Sequence, residues 1–356
     1  MKPLRIIGSL LAILVTLEIC ARMDDWLAFR APLFSSYSVD NLYELDGNRI
    51  RGKPFGRYKK WQLNSMGLRG PELRPGSVRI LCIGASETFG MLESDGLEYP
   101  RQLQSTLNNL AGRPRYDVIN LSYFGLKLPT ANALLPGIVD TVHPRIAIIY
   151  LTYGGYVAPR PAHPRPETLD SPWFAPRLFD KLNDLAHSIL PQGLQNWVKA
   201  KWMNHYVGTR TLMERTPEDR LATLTEDLRE SVTLLRSRGV EPVIVTHANR
   251  FSDRNDPFRK DMLIAWRKFY PLVSEAGLLD MDERLNDAAR RFAAANGVML
   301  IDAATRMPGG PRYFTDYTHF TDEGAHTFAR ILAQEIQPLL NAADTSDPAA
   351  ARAVSR

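Results

Sequence analysis

Cysteine is scarce: Cys20 and Cys82 are the only two in 356 residues. Cys20 falls in an N-terminal apolar run and Cys82 in a short apolar run of strand character. The two are expected too far apart for disulfide geometry, so neither a disulfide nor a Cys-based metal site is expected. The chain also lacks any Lys/Arg block. Its 44 Lys+Arg against 39 Asp+Glu leave +5, spread along the sequence, so nucleic acid is not expected as a partner. No internal repeat is visible. With 44% hydrophobic and 23% charged residues the composition is that of an ordinary globular chain. Disordered, collagen-like and disulfide-scaffold classes are thereby excluded. The length allows two domains or one large α/β unit.

The N-terminus has the pattern of a membrane-targeting segment. Lys2 and Arg5 precede an apolar run over residues 6–20, interrupted by Gly8, Ser9, Thr16 and Glu18, and the chain turns polar at Arg22-Met23-Asp24-Asp25. The run is shorter than the roughly 20 residues that comfortably span a bilayer, yet no small-x-small cleavage site follows it. Ile19 is too large for the position before a lipoprotein cysteine. An uncleaved signal anchor over residues 1–23 is expected, with Lys2 and Arg5 cytoplasmic and the rest exported. The alternatives are secretion after signal cleavage and a buried N-terminal helix of a cytoplasmic protein.

Residues 24–75 show no sustained period and read as a lead-in segment. After Pro75-Gly76 the pattern sharpens. Residues 78–83 read as a buried strand closed by Gly84, 97–110 as a helix, 116–121 as a strand, 129–142 as a helix and 145–151 as a third strand. A helix follows from Thr216-Pro217-Glu218-Asp219 to Gly239, then a strand at 242–246, helices from about Asp261 and Met281, and a fifth strand at 298–301. A last helix from Thr321 places Phe328, Ile331, Leu332, Ile336 and Leu339 on one face. Alternating strands and helices predict a parallel five-stranded sheet covered on both faces, over residues 76–341. The alternation breaks between about 157 and 215. Six prolines fall between Pro159 and Pro176, and Trp173, Phe174, Trp197, Trp202, His205 and Tyr206 follow; this reads as an insertion after the third strand whose aromatics pack it down or stack on sugar rings. Residues 342–356 read as a disordered tail.

The chemistry concentrates at strand ends. Gly84-Ala85-Ser86-Glu87-Thr88-Phe89-Gly90 closes the first strand, where parallel α/β sheets bind ligands. Its glycines permit a tight turn that lifts the Ser86 hydroxyl out of the sheet, with backbone N–H groups available to an oxyanion. Taken alone, the same stretch also fits a helix N-cap or a phosphate cradle. Asp316-Tyr317-Thr318-His319-Phe320 supplies a base beside an acid that can fix its tautomer. Thr246-His247-Ala248-Asn249-Arg250 ends the fourth strand at the same edge, so His247 and Asn249 are candidates to line a substrate pocket, or are simple loop contacts.

In these blocks, and in Asn64-Ser65-Met66-Gly67-Leu68-Arg69-Gly70 ahead of the first strand, the sequence resembles the SGNH, or GDSL-type, hydrolases, and a bacterial membrane-anchored branch of them. The resemblance covers about residues 60–340. It implies a three-layer α/β/α, flavodoxin-like fold carrying a helical, Pro-rich insertion. It also implies Ser86 as nucleophile, His319 as general base and Asp316 as its orienter, with no metal and no organic cofactor. Val118-Ile119-Asn120-Leu121-Ser122-Tyr123-Phe124-Gly125 matches the second block, making Gly125 an oxyanion donor beside the Ser86 N–H. Two departures stand out. Ala85 replaces a common Asp, and Thr152-Tyr153-Gly154-Gly155-Tyr156 puts Gly154 where the third block carries an oxyanion-hole asparagine. Loss of such a donor typically costs about 3–4 kcal/mol of transition-state stabilisation. The Thr152 or Tyr153 hydroxyl, the Gly155 N–H and His163 are candidate replacements, and Tyr153 is also a candidate substrate contact.

The expected function is a serine esterase acting on a small acyl ester, such as an O-acetyl group on envelope or secreted polysaccharide, at the periplasmic face of a bacterial inner membrane. The alternatives are an O-acyltransferase that uses the same three residues, and a non-catalytic binding protein that has kept the fold.

Overall fold

The computed structural model describes residues 2–47, 49–158, 169 and 176–344. They fall into two compact units, Met1–Pro71 with His163–Trp202, and Glu72–Ala162 with Met203–Arg356. Most of the proline-rich stretch, including His163, Trp173 and Phe174, lies outside the described residues.

In the first unit a helix spans Lys2–Phe29, running on past residue 23. Glu18, within the apolar run, and Asp24 and Asp25, past its end, bind the segment after the prolines. The Glu18 carboxylate accepts from the backbone N–H groups of Arg177 (3.1 Å) and Leu178 (2.9 Å), the first residues of a helix over Arg177–Ile189. A carboxylate there satisfies orphan donors and meets the positive end of the helix dipole. Lys181 pairs with Asp24 and Asp25, and Arg22 donates to Glu18 and to the Leu33 carbonyl. The Asn64 side chain organises the turn after it, accepting from the N–H groups of Met66 and Leu68 and donating to the Pro71 carbonyl.

The second unit is a three-layer α/β/α fold. Its strands β1 (Val78–Gly84), β2 (Tyr116–Ser122), β3 (Ile146–Tyr150), β4 (Glu241–Val245) and β5 (Met299–Ile301) are parallel and ordered β2-β1-β3-β4-β5. The helices are α1 (Ser86–Phe89), α2 (Tyr99–Leu110), α3 (Leu128–Val142), α4 (Glu218–Arg236), α5 (Arg259–Phe269), α6 (Glu275–Asn296), α7 (Ala303–Arg306) and α8 (Asp322–Asp344). Ile80, Cys82, Ile148, Val243 and Val245 share a core with Leu103 of α2 and Phe328, Leu332 and Ile336 of α8. Side chains of the other parity, Leu81, Ile83, Ile149 and Ile244, are equally buried, so the strands are covered on both faces and read as continuous apolar runs. On that second face α3 packs on α4 and α4 on α6. Asn132 of α3 ties the first pair by donating to the Asp227 carbonyl at 3.0 Å.

Element ends shift for local reasons. The helix expected from Met281 begins at Glu275, because Ser274 caps it by accepting from the Gly277 N–H. The helix expected from 97 begins at Tyr99, with Pro100 in its first turn. α8 continues to Asp344, past the boundary expected at 342. The insertion carries two helices, Arg177–Ile189 and Gln192–Val207, and most of it clusters with the N-terminal unit. Both cysteines are free, Cys82 buried in β1 and Cys20 exposed.

The strand order places β2 and β3 on opposite sides of β1. The chain reverses direction across the sheet there, opening a crevice at the carboxyl ends of β1 and β3. Gly84, Ser122 and Tyr150 end the three strands side by side, since Gly84 pairs with Ser122 and Ile83 with Ile149. Ser86, Gly125 and Gly154 follow within a few residues of those ends.

Candidate active site

The turn carrying Ser86 is set by its glycines. A Cβ on Gly84 would lie 2.0 Å from Thr88 Oγ1, so only glycine lets the strand turn straight into α1. Gly90 then ends the turn at φ 78°, where a Cβ would meet Glu98. Ser86 is the first residue of α1, so its N–H is one of the donors a helix start leaves without an intrahelical acceptor.

The structure brings Ser86, His319 and Asp316 together. Ser86 Oγ lies 2.8 Å from His319 Nε2, and His319 Nδ1 lies 2.8 Å from Asp316 Oδ2. Nδ1 faces an acceptor-only carboxylate and therefore carries the proton, which leaves the Nε2 lone pair to accept from the Ser86 hydroxyl. Asp316 is itself fixed, because its other oxygen accepts from the backbone N–H groups of Thr318 (2.9 Å) and His319 (2.8 Å). Burial would push the His319 pKa down, but the Asp316 hydrogen bond and charge, then the charge of Glu87, raise it above 6.5. Nearby Glu93, whose own carboxyl burial pushes up to about 8, adds charge beside His319 only above that pH.

A second buried array touches the first. Glu87 Oε1 accepts from Thr318 Oγ1 at 3.1 Å, Thr318 Oγ1 lies 2.8 Å from His247 Nε2, and His247 Nδ1 lies 2.7 Å from Asp282 Oδ1. Thr318 has one hydroxyl proton and gives it to Glu87, so it accepts from a protonated Nε2. Nδ1 faces a carboxylate and is protonated too, so His247 is an imidazolium held between Asp282 and Glu87. Burial opposes that charge, but Asp282 first and Glu87 second hold the His247 pKa up at about 9. Burial likewise opposes the charge on Glu87, yet His247 and His319 bring its carboxyl down to about 2. Glu87 Oε2 lies 3.4 Å from Ser86 Oγ, so the array borders the site.

His247 and Asn249 are both buried, and His247 lines a small pocket together with Tyr153. His247 is 2% exposed with both ring nitrogens committed, and Asn249 donates to Asp282 Oδ2 while its side-chain oxygen accepts from the Phe251 N–H. Tyr153 is buried too, its ring against His247 (centroids 4.4 Å apart) and Trp266 (5.2 Å). Asp282 thus joins His247 to Asn249, and Tyr153 packs against the same histidine.

Gly125 adopts φ 71° with open space where a Cβ would stand. Gly154 opens a single helical turn over Gly154–Tyr156 just past β3. The space a side chain would take there is occupied, since a Cβ on Gly154 would lie 3.0 Å from the Tyr270 hydroxyl oxygen. Among the described residues no group of three or more His, Cys, Asp or Glu side chains is placed to hold a metal ion.

Glu87 and Thr318 sit inside the two motif blocks, where their polarity beside Ser86 and His319 was the available signal. Asp282 lies on the inner face of α6 and Tyr270 just past α5, and neither belongs to any motif.

No family model matches the chain, and no curated protein matches it by sequence. Among solved structures it is similar to the lipase/acylhydrolase from Enterococcus faecalis, at 16% identity over 73% of this chain and 96% of that one, with a TM-score of 0.43. It is similar to a member of the lipolytic protein G-D-S-L family from Veillonella parvula DSM 2008, at 12% identity over 74% and 99%, TM-score 0.40. It is also similar to the acetyl xylan esterase AlAXEase, at 13% identity over 72% and 98%, TM-score 0.42.

Proposed function

We propose that the protein is a serine esterase of SGNH type that hydrolyses small acyl esters. The observation that carries this reading is the unbroken chain of hydrogen bonds from Asp316 through His319 to Ser86, at the carboxyl end of β1. His319 Nε2 takes the Ser86 proton as Oγ attacks the ester carbonyl. The imidazolium so formed is stabilised by Asp316 and returns the proton to the leaving alcohol, giving an acyl-Ser86 ester. Water, deprotonated by the same nitrogen, then releases the acid. The Ser86 and Gly125 N–H groups hold the oxyanion in both steps. A buried cation–carboxylate array and a fixed Asp316 suit a site that does chemistry, because a binding surface has no use for a serine–histidine pair so tightly oriented.

Residues 6–20 anchor the protein to a membrane in this reading, with the hydrolase unit on the exported side. Arg5–Phe29 is long and apolar enough to cross a bilayer, and its side chains there are mostly exposed. Glu18 and the polar residues after it are engaged by Arg177–Lys181. The lipid-facing length ahead of them is therefore about 20 Å, short of the roughly 30 Å hydrocarbon core, and local thinning with outward reach of Arg5 makes up the difference. Exposed apolar side chains on the two insertion helices, Phe179, Leu182, Leu185, Ile189, Trp197 and Trp202, suit the same lipid interface. An esterase at that location would act on O-acyl groups of envelope or secreted polysaccharide.

The test is turnover by the full chain in detergent, measured with short chromogenic acyl esters and by acetate release from an O-acetylated polysaccharide. Hydrolysis that disappears in Ser86→Ala is expected. Wild-type rates equal to those of folded Ser86→Ala across acyl lengths would sink the proposal.

A further inference from the structure

We infer that the Tyr270 hydroxyl serves as the oxyanion donor that position 154 does not supply. The inference rests on the serine-esterase proposal and deepens it.

The geometry starts from what surrounds Gly154. It lies at the carboxyl end of β3, beside the β1 turn that presents Ser86, and a Cβ built on it would stand 3.0 Å from the Tyr270 Oη. That contact is tighter than side chains ordinarily tolerate, so the hydroxyl fills the volume that an asparagine would project into from this position. Glycine at 154 and tyrosine at 270 are two halves of one arrangement, in which the donor enters from a different element.

Tyr270 is built to hold that place. It follows α5 as its C-cap, with its N–H donating to the Arg267 carbonyl at 3.0 Å and its own carbonyl accepting from the Val273 N–H at 2.9 Å. The backbone is thus pinned on both sides, as a preorganised donor requires. Among the described residues its hydroxyl has no hydrogen-bond partner, which leaves the proton available to a bound oxyanion. Burial first, and the charge of Glu87 second, push its pKa up to about 12, so it remains a neutral donor throughout the working range.

The sequence also offers Thr152, Tyr153, Gly155 and His163. The Tyr153 hydroxyl is buried, without a hydrogen-bond partner among the described residues, at a small pocket lined also by Leu224, His247, Leu285 and Asn286. The Lys127 side chain packs beside Gly155, and His163 lies outside the described residues.

The experiment uses the full chain in detergent with Tyr270→Phe, Gly154→Asn and the double variant. Three readouts are taken: kcat and KM on a short chromogenic ester, the rate at which an alkyl fluorophosphonate labels Ser86, and the melting temperature. Attack of Ser86 Oγ on phosphorus expels fluoride and passes through an anionic oxygen in the same hole, so labelling reports the donor without needing the natural substrate. Tyr270→Phe is expected to lower kcat and labelling rate about 10²- to 10³-fold, with KM moved less than about threefold and melting unchanged. Adding Gly154→Asn to Tyr270→Phe is expected to restore at least about tenfold, because removal of the hydroxyl opens the volume for an amide donor. Tyr270→Phe labelled and turning over within about threefold of wild type would overturn the inference while leaving the esterase proposal standing. A wild-type chain in which Ser86 is neither labelled nor needed for turnover would overturn the esterase proposal, and the inference with it.

Discussion

Replacing His319 with alanine is expected to lower kcat for ester hydrolysis by about 10⁴- to 10⁶-fold, with little change in KM. A serine hydroxyl is a weak nucleophile, and His319 Nε2, at 2.8 Å, is placed to take its proton in the attack, whereas the Glu87 carboxylate lies farther off at 3.4 Å and is already held by Thr318. Because serine and base act as one unit, Ser86→Ala should lose about as much, and the double variant no more than either alone. The pH profile carries the same signature. The base must be neutral, and Asp316 raises its pKa, so activity should climb with pH through an apparent value above 6.5. In Asp316→Asn the strongest upward influence is gone and burial dominates. The limb then moves to lower pH, while the plateau falls by about 10⁴ because the tautomer is no longer fixed. Steady-state rates between mildly acidic and alkaline pH decide this. A His319→Ala variant within tenfold of wild type would contradict the assignment.

Glu87→Gln is expected to destabilise the fold by about 3–5 kcal/mol, read from urea unfolding, because it strips a carboxylate from a buried imidazolium. His247 is 2% exposed and Glu87 5%, so water cannot replace the lost partner. Thr318 would also lose an ionised acceptor, and it stands one residue from His319. The sign of the pH dependence follows from the two shifts. The folded pKa of His247 is raised from 6.5 to about 9, so its contribution is complete below 6.5 and fades as pH rises through about 9. That of Glu87 is lowered from 4.5 to about 2, so its contribution is complete above 4.5 and fades as pH falls through about 2. Wild-type stability from this array is therefore complete between 4.5 and 6.5. In Glu87→Gln the alkaline loss should be complete at lower pH, since His247 keeps only Asp282 and its folded pKa falls. Urea midpoints that do not differ between the two proteins would show that the array bears no charge.

The alternation of apolar runs was enough to read the sheet, because strands buried on both faces leave no polar alternation to confuse them with helices. Residues 78–83, 116–121 and 242–245 all lie in strands of the structure, with 246 just past the end of its strand. Helix starts were harder to place. Ser274 caps α6 six residues ahead of the apolar spacing that marks Met281, and a cap is a local polar contact that hydrophobic period does not register. At the site, Ser86, Asp316 and His319 were legible because glycine turns and a carboxylate three residues from a histidine leave a local mark. His247 shows the limit. Its place at a strand end marks a pocket residue in sequence, whereas Asp282, a long way along the chain, turns it inward as a buried cation. Tyr270 left no mark at all, because its place beside Gly154 comes from the packing of another element and not from its own neighbours in the chain.

The most direct test of Ser86 as the nucleophile is intact-protein and peptide mass spectrometry after the full chain is mixed with a slowly deacylating ester and quenched in acid. The expected result is a single acyl adduct on the peptide containing Ser86, absent in Ser86→Ala and much slower to form in His319→Ala. An adduct on another residue, or turnover of the ester with no adduct while Ser86→Ala remains as active as wild type, would contradict the serine mechanism.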